Sequence, residues 1–164
     1  MQKLLVATLL LINSSGVSWA QEALFSTKSL TPEAALSAAK AAMESCRKSG
    51  FQVGVAVVDR SGITQVLLRD RFAGPHTVEV AANKAWTAVS FRTATTALAV
   101  ETQASKPMSG LRNQPRFLAA GGGLPIEGGG SLLGGIGVSG APGGDADDAC
   151  AKAGIQAIAD ALEF

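Results

Sequence analysis

The stretch AGPHTVEVAANKAWTA, residues 73–88, holds the only histidine of the chain, His76, and with it Lys84 and Thr87. A neutral imidazole is a metal ligand and a proton carrier near neutral pH. An ammonium eight residues further on holds an anion or pairs with a carboxylate, and a threonine hydroxyl is a weak oxygen donor. His76 follows Gly74-Pro75 at the expected start of a helix, so it stands either beside a ligand or in water at a helix entrance. Lys84 either holds an anionic substrate or pairs with nearby acids or a strand carbonyl. Other groups with chemistry are Met108 in the loop KPMSG, Met43 in an apolar stripe, and Arg69, Arg71, Arg92, Arg112 and Arg116. Arg112 and Arg116, around Asn113-Gln114-Pro115, form either a carboxylate clamp or a solvated loop. Trp86 offers a flat apolar surface, to the core, to a subunit interface or to a ligand.

Catalytic sets of known type are missing. A single histidine has no acid placed beside it by any motif, which weakens Ser-His-Asp and Cys-His chemistry. No carboxylate pair is set by helical spacing inside an apolar stretch, which weakens general acid–base chemistry. Two cysteines without a second histidine argue against zinc. Cys46 and Cys150 form either one disulfide or two buried thiols. Asp145, Asp147 and Asp148 open the last helix, where acids complement the helix dipole.

The elements that must position these residues follow from periodicity. Residues 1–20 carry one basic residue, Lys3, an apolar run from Leu4 to Ile12 broken only by Thr8, and small residues at Ser18 and Ala20. This is the layout of a secretory signal peptide, with a run too short for a bilayer. The mature chain is expected to span residues 21–164 as one domain, exported to a periplasm or secreted, with no membrane span. The whole chain has 14 basic and 13 acidic residues. Loss of Lys3 makes them equal, and with no basic run this argues against a nucleic-acid partner.

Thr31-Pro32-Glu33 begins the first helix, with Leu36, Ala39, Met43 and Cys46 as its expected buried stripe. FQVGVAVVD then alternates on both faces, and ITQVLLRD returns from the turn at residues 59–62 as a hairpin partner. A helix from about Pro75 to Arg92 buries Val78, Ala81, Ala82, Ala85 and Val89, and a second follows at about Thr95 to Ser105. Residues 121–144 hold 12 of the 19 glycines. They lack GxxxxGK[ST] and precede a strand, so they are not a phosphate loop. Gly134, Gly135 and Gly137 in an expected strand, Leu132 to Ser139, instead mark close approach of a helix backbone or a ligand. A further strand covers Leu124 to Ile126, and the last helix runs from Asp145 to Leu162. The order implies an α+β domain, an antiparallel sheet covered by helices.

These pieces, taken together, resemble the GlcG/HbpS-like, or haem-degrading domain, family. The matching residues are VAVVDRSG, Lys84 to Ala88 as K-A-x-T-A, the G-G-x-P-I segment, and GGIGVSG before the last helix, spanning about Val53 to Ile158. The resemblance implies an antiparallel sheet of about five strands flanked by helices, similar to profilin and PAS-like folds, and a homo-oligomer. It implies haem or a related planar, anionic small molecule as ligand. Two alternatives stand beside a binding module: a haem-degrading enzyme, and an accessory subunit without a ligand. With haem, His76 is the candidate iron ligand. Thr87 and Met108 are the other candidate iron ligands, Lys84 is a candidate cofactor contact, and Arg71, with Arg69 and Arg92, is a candidate for the propionates.

Overall fold

A computed structural model describes residues 23–163; the expected signal peptide lies outside them. Helix α1 (Pro32–Lys48) is followed by the hairpin β1 (Gly54–Asp59) and β2 (Thr64–Arg69), then α2 (Thr77–Phe91) and the short α3 (Thr95–Glu101). A long irregular excursion leads to β3 (Gly123–Gly128) and β4 (Ser131–Ser139), and the chain closes with α4 (Gly144–Gln156) and a 3₁₀ turn at Ala159–Leu162. All strand pairs are antiparallel, in the order β2-β1-β4-β3. The α+β class is as expected, but the described sheet has four strands, not five. The segment before α1 reaches the sheet through the Leu30 N–H on the Leu133 carbonyl, 3.2 Å, the Ser29 hydroxyl on the same oxygen, and the Leu30 carbonyl, which accepts from Gln65 Nε2 of β2 at 2.9 Å.

The two faces of β1 follow its alternation. Val55 and Val57 enter the main core with Ile136, Val138, Leu124 and Ile126, roofed by α1 and α4. Ala56 and Val58 face α2 and meet Ala81, Ala85 and Val89. Each buried valine contributes about 1.5–3 kcal/mol relative to its exposed state. Helix α1 begins as its sequence dictates, with the Thr31 hydroxyl accepting from the Ala34 N–H and Pro32 in the first turn.

Its buried face differs from the expected one. Ala35, Ala38, Ala39, Ala42, Met43 and Cys46 point inward, whereas Leu36 is 37% exposed. The reason is the closeness of α4: a Cβ on Gly154 would lie 2.7 Å from the Ala38 carbonyl oxygen, so only alanine-sized residues fit between the helices. Beside that crossing Cys46 and Cys150 are joined by a disulfide, Cα–Cα 5.5 Å, which settles the open pairing.

Helix α2 lies equally close to β4. A Cβ on Gly135 would stand 2.6 Å from Val89 Cγ2, and one on Gly137 would collide with the Ala81 carbonyl. The glycines of β4 therefore admit a helix backbone, one of the two readings their spacing allows. Val78 and Ala82, expected in the stripe of α2, are only half-buried, and Thr77, Lys84, Thr87 and Ala88 are buried instead. Helix α3 stops at Glu101, short of the expected Ser105, and α4 ends at Gln156, short of Leu162. No helix among the described residues is long and apolar enough to cross a membrane.

Candidate functional site

Lys84 sits in the middle of α2, on the side that meets the ends of β4 and α4. Its Nζ donates to the Val138 carbonyl at 2.9 Å and to Asp147 Oδ2 at 2.8 Å, with both side chains buried. The structure thus realises both of the structural alternatives for this lysine, an acid partner and a strand carbonyl. Asp147 Oδ1 accepts from the Ala141 N–H at 3.0 Å. Burial pushes the Asp147 carboxyl above its ordinary range, against the opposing pull of Lys84. Asp148 accepts from the Gly122 N–H at 2.6 Å and from the Thr96 hydroxyl. The Thr95 hydroxyl donates to the Ala120 carbonyl at 2.6 Å and accepts from the Gly123 N–H at 2.8 Å. The acids at the start of α4 therefore do more than complement its dipole: two of them clamp the glycine-rich segments on either side.

Those segments form one wall of a cleft of about 580 Å³. The opposite wall is the start of α2, with Gly74, His76 and Thr77, and the rim carries Phe51, Gln52 and Phe72. Phe72 is 80% exposed. His76 occupies the N-cap position of α2 with helical dihedrals and makes no capping hydrogen bond. The start of the helix is held by the Gly74 carbonyl, which accepts from the Thr77 N–H at 3.0 Å and from the Thr77 hydroxyl at 2.7 Å. The imidazole lies back over Gly74: a Cβ there would be 2.6 Å from its Cε1 and 2.8 Å from its Nδ1, but 3.7 Å from its Nε2. Gly74 thus makes room for the ring, with Nε2 farther from it than Cε1 and Nδ1.

The remaining candidates lie elsewhere. Thr87 is buried, its hydroxyl donating to the Arg116 carbonyl at 3.3 Å and accepting from the Leu118 N–H at 3.0 Å. Arg71 is exposed, and its N–H donates to Asp70 Oδ1. The Arg69 guanidinium is spent on the Ala73 carbonyl, and Arg112 on the carbonyls of Thr102 and Ala99. Arg116 stacks over the Trp86 ring at 5.0 Å. Met108 is 40% exposed in the excursion between α3 and β3, and Met43 is core, as expected. No cluster of three or more His, Cys, Asp or Glu among the described residues could hold a metal ion.

Of the expected site residues the structure brings His76 and Lys84 to one cleft, and leaves Thr87 and Arg71 outside its lining. Sequence reasoning missed Gln52, Phe72 and Ser139, which line it from the connection before β1, the loop after β2 and the end of β4. The one local signal was SGAPGG directly before DADD, a flexible turn leading into an acid-rich helix start.

A four-stranded antiparallel sheet between helices, with an open cleft carrying one imidazole, two phenylalanines and a buried ion pair, makes a small α+β domain with a cleft of small-molecule size. Residues 30–156 match the family described as haem degrading protein HbpS-like, and the chain belongs to that family. HbpS of Streptomyces reticuli, solved as a double mutant, is 43% identical, with 84% of this chain and 92% of that one covered and a TM-score of 0.77. PduOC in complex with haem is 32% identical over 79% of this chain and 95% of that one, TM-score 0.75. The corrinoid adenosyltransferase PduO of Salmonella typhimurium is 36% identical over 103 residues, 62% of this chain but 31% of that protein. The chain thus spans about a third of the adenosyltransferase.

Proposed function

We propose that this protein is an exported haem-binding module, with the tetrapyrrole held in the cleft beside His76. The observation that carries this is the exposed His76 imidazole, which lines the cleft and is free of any capping bond. The donor set suits the group. Imidazole is a common haem-iron ligand, Phe51 and Phe72 offer flat apolar surface, and the cleft volume falls in the range of small-molecule sites. The family to which the chain belongs and the haem complex of PduOC support the same reading. Bound haem supplies a redox-active iron whose behaviour is set by its axial ligand and surroundings.

The chain's own residues then have definite work. Gly74 orients His76, the Lys84–Asp147 pair fixes the wall opposite, and exposed Arg71, next to Phe72, is a cation for a propionate at the rim. Assembly into a homo-oligomer belongs to the proposal, supported by the exposure of Ile63, Leu67 and Phe72. So does export, which rests on residues 1–20. The test is to pass haemin with the mature chain, residues 21–164, through gel filtration and to quantify co-eluting haem as its pyridine haemochrome. One haem per chain supports the proposal, and elution free of haem refutes it. The name of the family favours a second reading, haem breakdown. Loss of the haem spectrum with appearance of a linear tetrapyrrole under ascorbate would distinguish it from storage or transfer.

A further inference from the structure

The side of the cleft between β4 and α4 is lined with hydrogen-bond donors whose capacity the fold does not exhaust. Ser139, the last residue of β4, is 5% exposed and lines the cleft, and its hydroxyl makes no hydrogen bond with any described residue. Lys84, 4% exposed, spends two of its three N–H groups, on Val138 and Asp147. Residues 140–143 then turn into the 13-residue α4, whose N-cap, Gly143, has no side chain to cap the first turn. The Asp147 N–H is the first to reach an intrahelical acceptor, the Gly143 carbonyl at 3.2 Å, so the N–H groups of Gly144, Asp145 and Ala146 have none, and Gly144 lines the cleft. The Gln52 amide completes the lining, with Oε1 buried and without a partner. An amide turns about its axis to present its NH₂ where an acceptor arrives.

We propose that this side of the cleft is a carboxylate site, formed by Ser139, the third proton of Lys84, the first-turn N–H groups of α4 and the Gln52 amide. Donors outnumber acceptors, so the complementary group is acceptor-rich. A single negative charge fits better than a double one. The charge of Lys84 is already matched by Asp147, and Asp145 and Asp148 beside it repel a dianion such as phosphate. The proposal deepens the haem reading and rests on it for one point only: in a bound haem the carboxylate is a propionate.

The test keeps the two apart. Mature protein with its disulfide intact is titrated with propionate, propionamide and inorganic phosphate, followed by backbone amide NMR. The same protein is titrated with haemin and with haemin dimethyl ester. The expected result is a saturable propionate shift on the amides of Ser139, Gly144 and Asp145, absent with propionamide and weaker with phosphate. In Ser139→Ala, propionate affinity falls by about tenfold, the cost of one hydrogen bond to a charged group. Equal shifts from propionate and propionamide, or tighter binding of phosphate, would overturn the proposal in the wild type alone. Propionate binding without haemin binding would sink the haem reading and leave the carboxylate site standing. Haemin and its dimethyl ester binding equally, with no propionate shift, would do the reverse.

Discussion

Lys84 Nζ lies 2.8 Å from Asp147 Oδ2 with both side chains buried, and so joins the middle of α2 to the first turn of α4. The pair stands where the two helices meet the end of β4, and it fixes the wall that His76 faces across the cleft. Removing one partner leaves the other as an uncompensated buried charge. Lys84→Met is therefore expected to cost about 3–5 kcal/mol in urea unfolding. Adding Asp147→Leu should restore most of that. A loss under about 1 kcal/mol for the single variant would show that the pair is not buried as described.

Arg47 and Asp70 form a second close pair, 2.7 Å from Nε to Oδ2, between α1 and the residue after β2. The hydrogen bonds from Arg47 hold the Asp70 carboxyl below its ordinary value, against the effect of burial. The sign follows: its stabilising effect is complete above the unfolded value of about 3.9 and disappears as pH falls through the lower folded value. Asp70→Asn should be less stable than wild type at pH 7, with the gap narrowing below about pH 4. Because Arg47 is half-exposed, solvent screening keeps the gap modest. A gap unchanged between pH 7 and pH 2 would contradict this.

Asp147 has the opposite sign. Its raised value means that the native state prefers the protonated form, so that preference stabilises the fold at acid pH and is lost as pH rises through the folded value. The pH profile of wild type is expected to contain both slopes, and Asp147→Asn to keep only the Asp70 limb.

The Cys46–Cys150 bridge closes a loop of sequence separation 104. Removing a native disulfide from a small secreted domain costs about 2–5 kcal/mol. Thermal melting of Cys46→Ala/Cys150→Ala should show a clear drop in Tm, and added reductant should lower the wild type towards the same value. Equal melting temperatures would show that the α1–α4 packing suffices alone.

Two glycines separate close packing from mere flexibility. Gly137→Ala drives a Cβ into the Ala81 carbonyl, which neither backbone can avoid. The expected cost is about 1–3 kcal/mol or more. Gly110, with nothing within 4 Å, should accept alanine within about 0.5 kcal/mol. Comparable losses at both positions would contradict the described approach of α2 to β4.

Much of this was legible in the sequence because it is local. The alternation of Val53 to Val58 gave a strand covered on both faces, and Thr31-Pro32 marked the start of α1. The glycines of β4 announced a close neighbour. Lys84 was legible only as a pair of alternatives, because its acid partner lies 63 residues away. Leu36 was misplaced because periodicity ranks residues by hydrophobicity, whereas the α1–α4 crossing selects for small size. Ser139 and Gln52 carry no local signal; they become a site only when β4, α4 and the start of β1 converge. The expectation of about five strands came from the family resemblance, whereas periodicity placed four.

The central claim is that the cleft beside His76 binds haem through that residue. Its most direct test is an absorbance titration of haemin into the mature chain, residues 21–164, beside His76→Ala and Gly74→Ala. The account predicts a saturable Soret shift in wild type, lost in His76→Ala. It also predicts weakening in Gly74→Ala, where the new methyl displaces the ring without disturbing the fold. A shift that survives intact in His76→Ala would contradict the assignment of the ligand. No shift in any of the three would contradict the haem reading itself.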